Sequence, residues 1–154
     1  MNISRKLVAA AAVSLLLAGL TGCDSVPQEK SKTFTHTING VNLSFTYHYA
    51  GDKVLRQDAN NTLPYKSIGA TSKEQAQALI EPMSNLYRGV KGVEQRIDYT
   101  DSYAQERISI DFTQAKISEL CKLPGSTFTN CTLQEVSMTE SEKQLKEQGF
   151  KEVK

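Results

Sequence analysis

The sequence predicts an α+β fold, a two-layer sandwich of mostly antiparallel sheet in two hairpins covered by about three helices. Residues 33–38 (TFTHTI) and 41–49 (VNLSFTYHY) both alternate apolar and polar side chains, with Asn39-Gly40 between them. Asn-Gly between alternating runs is the strongest short hairpin signal, because both turn positions need φ > 0. Residues 93–99 and 103–112 alternate in the same way around Thr100-Asp101-Ser102. Two segments of helical period open on a Thr-x-x-Glu capping box, at Thr71 and at Thr139. Hairpins in place of strand–helix–strand crossovers argue for antiparallel pairing.

The chain begins with an address. Behind Arg5-Lys6, residues 7–20 are almost wholly apolar (LVAAAAVSLLLAGL). That is the length of a signal-peptide core and shorter than the ~20 residues that span a bilayer. The run closes on Leu20-Thr21-Gly22-Cys23, which resembles the bacterial lipobox: small residues admit the peptidase, and the Cys23 thiol takes a diacylglycerol group. The expectation is a signal peptide over residues 1–22 and a lipidated Cys23, held in the membrane by two or three acyl chains, palmitate among them. An ordinary secretory leader with an incidental cysteine is the plainer alternative. Asp24 resembles the inner-membrane retention signal of enterobacterial lipoproteins, so the expected location is the inner membrane, facing the periplasm. Residues 24–32 (DSVPQEKSK) are polar and aperiodic. With Cys23 they form a tether, 23–32, reaching about 15–18 Å, and residues 33–154 form a single domain.

In the first hairpin a two-residue loop sets Ile38 opposite Val41, His36 opposite Leu43 and Phe34 opposite Phe45. Ala50-Gly51-Asp52 then turns the chain into a third strand over 53–57. Residues 58–67 are ambiguous: Asn60-Asn61 suggests a turn, and 63–68 a further short strand. From Thr71, apolar residues at Ala76, Leu79, Ile80, Met83, Leu86, Tyr87 and Val90 predict an amphipathic helix. Pro82 should kink it near Ala78, and Gly89 ends it. After the second hairpin come a short helix at about 114–122 and a loop or strand over 124–137. The last helix starts at the Thr139–Glu142 box and stops at Gly149, with Phe150 packed back on Leu145 in a Schellman end.

Charge excludes one class of partner. The net charge of +1 becomes −1 once Arg5 and Lys6 leave with the leader, so there is no basic stripe for nucleic acid. Cys121 and Cys131 are the only cysteines of the body and, in an exported chain, are most simply a structural disulfide. Free thiols or a redox dithiol are the alternatives, but nine residues separate the pair and nothing nearby lowers a thiol pKa. His36 and His48, the only histidines, fall on opposite faces of the first hairpin and cannot share a metal ion. His48 could act as a general base, although no nucleophile is marked near it. Asp98, Asp101, Glu106 and Asp111 surround the second hairpin and read as its solvated face, with acid/base work or a weak cation site as the sharper alternative. Tyr47, Tyr49, Tyr65, Tyr87, Tyr99 and Tyr103 suit core packing first and a ligand groove second. Ser67-Ile68-Gly69-Ala70-Thr71 is at best a weak anion site. The residues present no catalytic set, metal site or cofactor motif.

Several stretches resemble a known family. These are Gly51-Asp52-Lys53-Val54-Leu55, residues 67–71, Glu81-Pro82, Tyr99-Thr100-Asp101-Ser102-Tyr103-Ala104-Gln105-Glu106 and Gly149-Phe150-Lys151-Glu152-Val153. Together with the lipobox they resemble the YehR-like bacterial lipoproteins, a domain of unknown function, over nearly the whole chain. The resemblance implies a two-layer α/β sandwich and supplies no catalytic or ligand residue. The stretch around Cys121 and Cys131 departs from the family pattern and reads as a local addition.

The functional expectation is a membrane-anchored binding or interaction module of the cell envelope. Its partners are the bilayer, through the acyl chains, and an envelope protein or small ligand. The alternatives are an envelope enzyme using His48 or the acids of the second hairpin, and a purely structural envelope protein. Cys23→Ala should abolish incorporation of labelled palmitate and move the protein out of the detergent phase on partitioning. Undiminished labelling would place the lipid elsewhere.

Overall fold

The computed structural model describes residues 26–154. The leader, Cys23 and Asp24 lie outside the described residues. β1 (Glu29–Ile38), β2 (Val41–Ala50) and β3 (Lys53–Pro64) form a meander. A 3-10 turn at Tyr65–Ile68 leads into α1 (Lys73–Ser84), followed by β4 (Val93–Tyr99) and β5 (Tyr103–Asp111). Then come α2 (Ile117–Leu120), α3 (Met138–Glu147) and a final strand, β6 (Lys151–Glu152). The sheet runs β4-β5-β3-β2-β1-β6, and every neighbour is antiparallel. This is the expected α+β architecture, with a third hairpin, β2–β3, and an extra edge strand, β6.

The first hairpin has the expected register: Phe34 faces Phe45, His36 faces Leu43 and Ile38 faces Val41. Asn39 and Gly40 both take positive φ, 51° and 82°, which is why this pair makes the turn. β1 starts at Glu29, so Glu29–Lys32, expected in the tether, are strand paired with Tyr47–Ala50. β3 runs straight through Asn60-Asn61 to Pro64, and 63–68 is no strand of its own. The local turn preference of Asn-Asn yields because Asn60 and Asn61 pair with Arg107 and Glu106 of β5, within a strand that β2 flanks on its other side.

Both helix caps are shifted from the expected residue, by one position later in α1 and two earlier in α3. Ser72, not Thr71, caps α1 and accepts from Gln75 N, while the Gln75 side chain reaches back to Thr71 N at 2.9 Å. Ser137, not Thr139, caps α3. The reason is an acceptor from elsewhere in the chain. Asp52, in the β2–β3 turn, accepts from Ser137 Oγ at 2.6 Å and from Thr139 N and Oγ1 at 2.8 and 2.6 Å. The α1 region keeps its winding to Gly89, but beyond Ser84 the bonds tighten to the i→i−3 type, such as Leu86 N to Met83 O. Pro82, which has no N–H, lies in the last turn of the regular helix. The end of α3 is as expected: Phe150 N donates to Leu145 O at 2.9 Å and Gly149 N to Lys146 O at 3.1 Å, the Schellman pair.

The helices cover one sheet face in two separate pieces. α2 and α3 lie over β1 and β2, where Phe34, Tyr47 and Val54 pack with Ile117, Met138 and Leu145. α1 lies over the β4–β5 side, where Ala76 and Ile80 pack with Tyr65, Ala104 and Ile97. Among the described residues no helix covers the opposite sheet face, where Thr35, Ser44, Thr46, Arg56, Asp58, Asn60, Arg107 and Ser109 lie by register.

Asp52 generates a pH test. Its hydrogen bonds from Ser137 and Thr139 hold its carboxyl below the ordinary aspartate range. A carboxyl depressed on folding contributes stability above its unfolded pKa and loses it as pH falls through the lower, folded value. Asp52→Asn should therefore lower Tm at pH 7, and the gap from the parent should close as the pH is taken below about 4. Thermal melts across pH 2–8 read this; a gap independent of pH would show that the carboxylate charge is not what holds α3.

Candidate functional site

Between the two helical pieces the inner face of the central strands is left uncovered, and a cavity of about 710 Å³ opens there. Its floor is the inward parity of β2, β3 and β5: Leu43 and Phe45, then Ala59 and Leu63, then Ile108 and Ile110. One wall is α1, through Leu79, Ile80 and Met83. The opposite wall is the segment after α2, through Leu120, Leu123 and Phe128, with Phe150 stacked on Phe45 at 5.1 Å. Ile38, Leu79 and Met83 line the cavity and are also 42%, 50% and 53% exposed, which marks them as its mouth. A helix of this amphipathicity normally buries its whole apolar stripe; α1 buries only Ala76 fully.

Two devices set the width of the gap. Tyr87, in the tight turns after α1, donates through its hydroxyl to the Pro124 carbonyl and so links the two walls at one end. Partial burial, and then the neighbouring charge of Glu106, push its phenol pKa up. Cys121 and Cys131 are joined as a disulfide with Cα atoms 5.9 Å apart, which closes the base of the segment carrying Leu123 and Phe128.

One part of the floor holds a hydrogen-bonded polar chain. Ser84 Oγ donates to Gln95 Oε1 at 2.7 Å, Gln95 Nε2 donates to Glu106 Oε1 at 2.7 Å, and Asn61 Nδ2 donates to Glu106 Oε2 at 2.9 Å. Asn61 is buried, and its Oδ1 has no partner among the described residues. Asn61 and Glu106 face each other across β3 and β5, and all four side chains line the cavity. A buried acceptor left unpaired costs about 1–3 kcal/mol, a cost that a donor reaching Asn61 would remove.

The residues singled out in the sequence scatter. His36 packs on the Phe150 ring at 5.1 Å and against Gly149, on the inner face. His48 is on the outer face, with Nε2 3.1 Å from Asp58 Oδ2 and 3.0 Å from an Arg56 guanidinium nitrogen. Ser109 Oγ donates to Asp58 Oδ1 at 2.7 Å, not to His48, so serine, histidine and aspartate are wired in the wrong order for a nucleophile and its base. Asp98 pairs with Arg107 and Arg96 on the outer face, and those hydrogen bonds lower its pKa. Asp111 accepts from Thr113 N and Oγ1, and Asp101 sits exposed in the β4–β5 turn. Glu106 departs from the expectation of a solvated acid face: it shares the inward parity of Ala104, Ile108 and Ile110. That parity is legible in the sequence and was the signal for it. Asn61 was hidden by its resemblance to a turn residue. Of the six tyrosines, Tyr47 and Tyr65 are core, and Tyr87 borders the cavity. The 67–71 stretch ends at the side-chain-capped start of α1. Among the described residues no group of three or more His, Cys, Asp or Glu side chains converges as metal ligands would.

Comparison with known proteins matches residues 30–151 to a family described as protein of unknown function (DUF1307). An uncharacterized lipoprotein of Listeria innocua is 40% identical over 141 residues, covering 92% of this chain and 91% of its own. The uncharacterized lipoprotein YehR of Escherichia coli is 37% identical over 155 residues, the full length of both. The NMR structure of E. coli YehR superposes with a TM-score of 0.75 at 39% identity, covering 83% of this chain and 93% of that one. The NMR structure of a protein from Streptococcus pneumoniae, 14% identical over 99% of both chains, gives 0.59, a likeness of fold alone.

Tyr87→Phe should remove the link to Pro124 at a cost of about 1 kcal/mol and raise amide hydrogen exchange across 120–128. Exchange unchanged in that segment would mean that the tyrosine does not hold the wall.

Proposed function

Since this chain belongs to the DUF1307 family, whose named members above are lipoproteins, we propose that it is a membrane-anchored envelope lipoprotein that binds a small, largely apolar molecule. The observation that carries this reading is the cavity between the two helical pieces. Its volume lies inside the 300–1,000 Å³ range of small-molecule sites, and it combines apolar walls with a few convergent polar groups. A flat apolar patch would instead have favoured a protein partner.

In this reading residues 1–22 are a signal peptide and Cys23 carries the acyl chains, palmitate among them. The domain then stands at the inner membrane on the periplasmic side, the placement that Asp24 favours. With β1 starting at Glu29, only residues 24–28 separate the anchor from the sheet, a reach of about 11–13 Å. The module works against the membrane surface, where apolar molecules concentrate.

Ala59 is 8% exposed and sits in the middle of the floor. Ala59→Phe should fill the cavity and leave the hydrogen-bonded sheet intact. The test is solvent extraction and mass spectrometry of the lipoprotein purified from its host. A molecule that copurifies with the parent and is lost from Ala59→Phe supports the proposal. Identical extracts, together with failure of an apolar fluorescent probe to bind the parent, would overturn it.

A further inference from the structure

We propose that the occupant of this cavity is an amphiphile with a protonated amine head, bound with its ammonium group on Glu106 and Asn61. The inference rests on the binding reading above and names the ligand class. Three observations carry it. Glu106 is the one charged side chain among the residues that line the cavity. Both of its oxygens accept from amide N–H groups, Oε1 from Gln95 and Oε2 from Asn61. No Lys, Arg or His lies within ion-pair distance of it among the described residues. A carboxylate set in an apolar cavity without a cation is expensive, and a cation brought by the ligand offsets that cost.

Asn61 gives the independent observation. It is 7% exposed, its amide nitrogen donates to Glu106, and its Oδ1 is buried beneath the floor without a partner. An ammonium has three donors and no acceptor, so one head on Glu106 can also serve Asn61 Oδ1 once the Asn61 amide turns to uncover it. A hydroxyl can serve one of them. A carboxylate or phosphate head would meet an acceptor and a like charge. Gln95 and Ser84 complete the chain behind Glu106 and fix its orientation from β4 and the end of α1. The apolar body then lies along Ile108, Ile110 and Phe45 towards the mouth at Leu79 and Met83.

The test uses the lipidated protein in phosphatidylcholine nanodiscs and three photoactivatable dodecyl probes with amine, alcohol or carboxylate heads. Labelled peptides are mapped by mass spectrometry. The amine should label the floor and α1 peptides at least about tenfold more than the carboxylate, the size of one charge-assisted contact. Glu106→Gln keeps the shape of the side chain and should collapse that ratio towards one. Asn61→Leu removes the unpaired acceptor and should narrow the amine's advantage over the alcohol while the carboxylate stays disfavoured by Glu106, which keeps the test alive if Glu106→Gln does not fold. Equal labelling by all three heads in parent and variants would overturn the amine assignment and leave the cavity reading standing. Absence of labelling in the cavity would overturn both. The same blank with a dimer by light scattering would give the rim to a second copy of the chain.

Discussion

β3 is hydrogen-bonded along its length to β2 on one side and to β5 on the other, although the chain visits β4 before it returns to β5. That double pairing is the constraint on which the rest depends. It joins a three-strand meander to a later hairpin and makes one sheet wide enough to need two separate covers. α2 and α3 serve the meander side and α1 serves the hairpin side. Neither short unit reaches the centre, so the cavity is a consequence of sheet width set against helix length. The same pairing carries Asn61 through the sheet as a strand residue and sets it opposite Glu106.

The two faces of the sheet handle charge in different ways. Outside, acids and bases are interleaved: Asp98 meets Arg96 and Arg107, and Asp58 meets Arg56 and His48. These are exposed pairs, each worth little to stability, and they keep the uncovered face solvated. Inside, Glu106 has only amide partners. A net charge near zero hides this contrast, because it averages a balanced outer surface with one unbalanced position within.

The second helical cover is held by contacts from distant parts of the chain. Asp52 binds the start of α3 from the β2–β3 turn. Lys32 on β1 pairs with Glu142 on α3, and Val153 N donates to Thr33 O beside β6. Each ties the last third of the chain to the first hairpin. Among the described residues the α1 cover is hydrogen-bonded across the cavity through Tyr87 and Pro124 alone, so the two walls are unequal in their attachment, and α1 is the one with fewer restraints to yield to a ligand.

The sequence by itself determined what depends on neighbours along the chain. The Asn39-Gly40 turn, the register of the first hairpin, the alternation of β4 and β5 and the Schellman end at Gly149 are all local geometry, and all are present. So is the parity of Glu106, which a two-residue period fixes. Tertiary structure decided the rest. Asn60-Asn61 became strand because pairing with β5 outcompeted the turn. Thr139 lost the cap of α3 to Ser137 because Asp52 arrived from the other end of the domain. Glu29–Lys32 left the tether because β2 was long enough to pair them. The cavity is of the same kind: its walls and floor come from segments far apart in sequence, and a volume is set by how far apart packing holds them, a quantity that no hydrophobic period encodes.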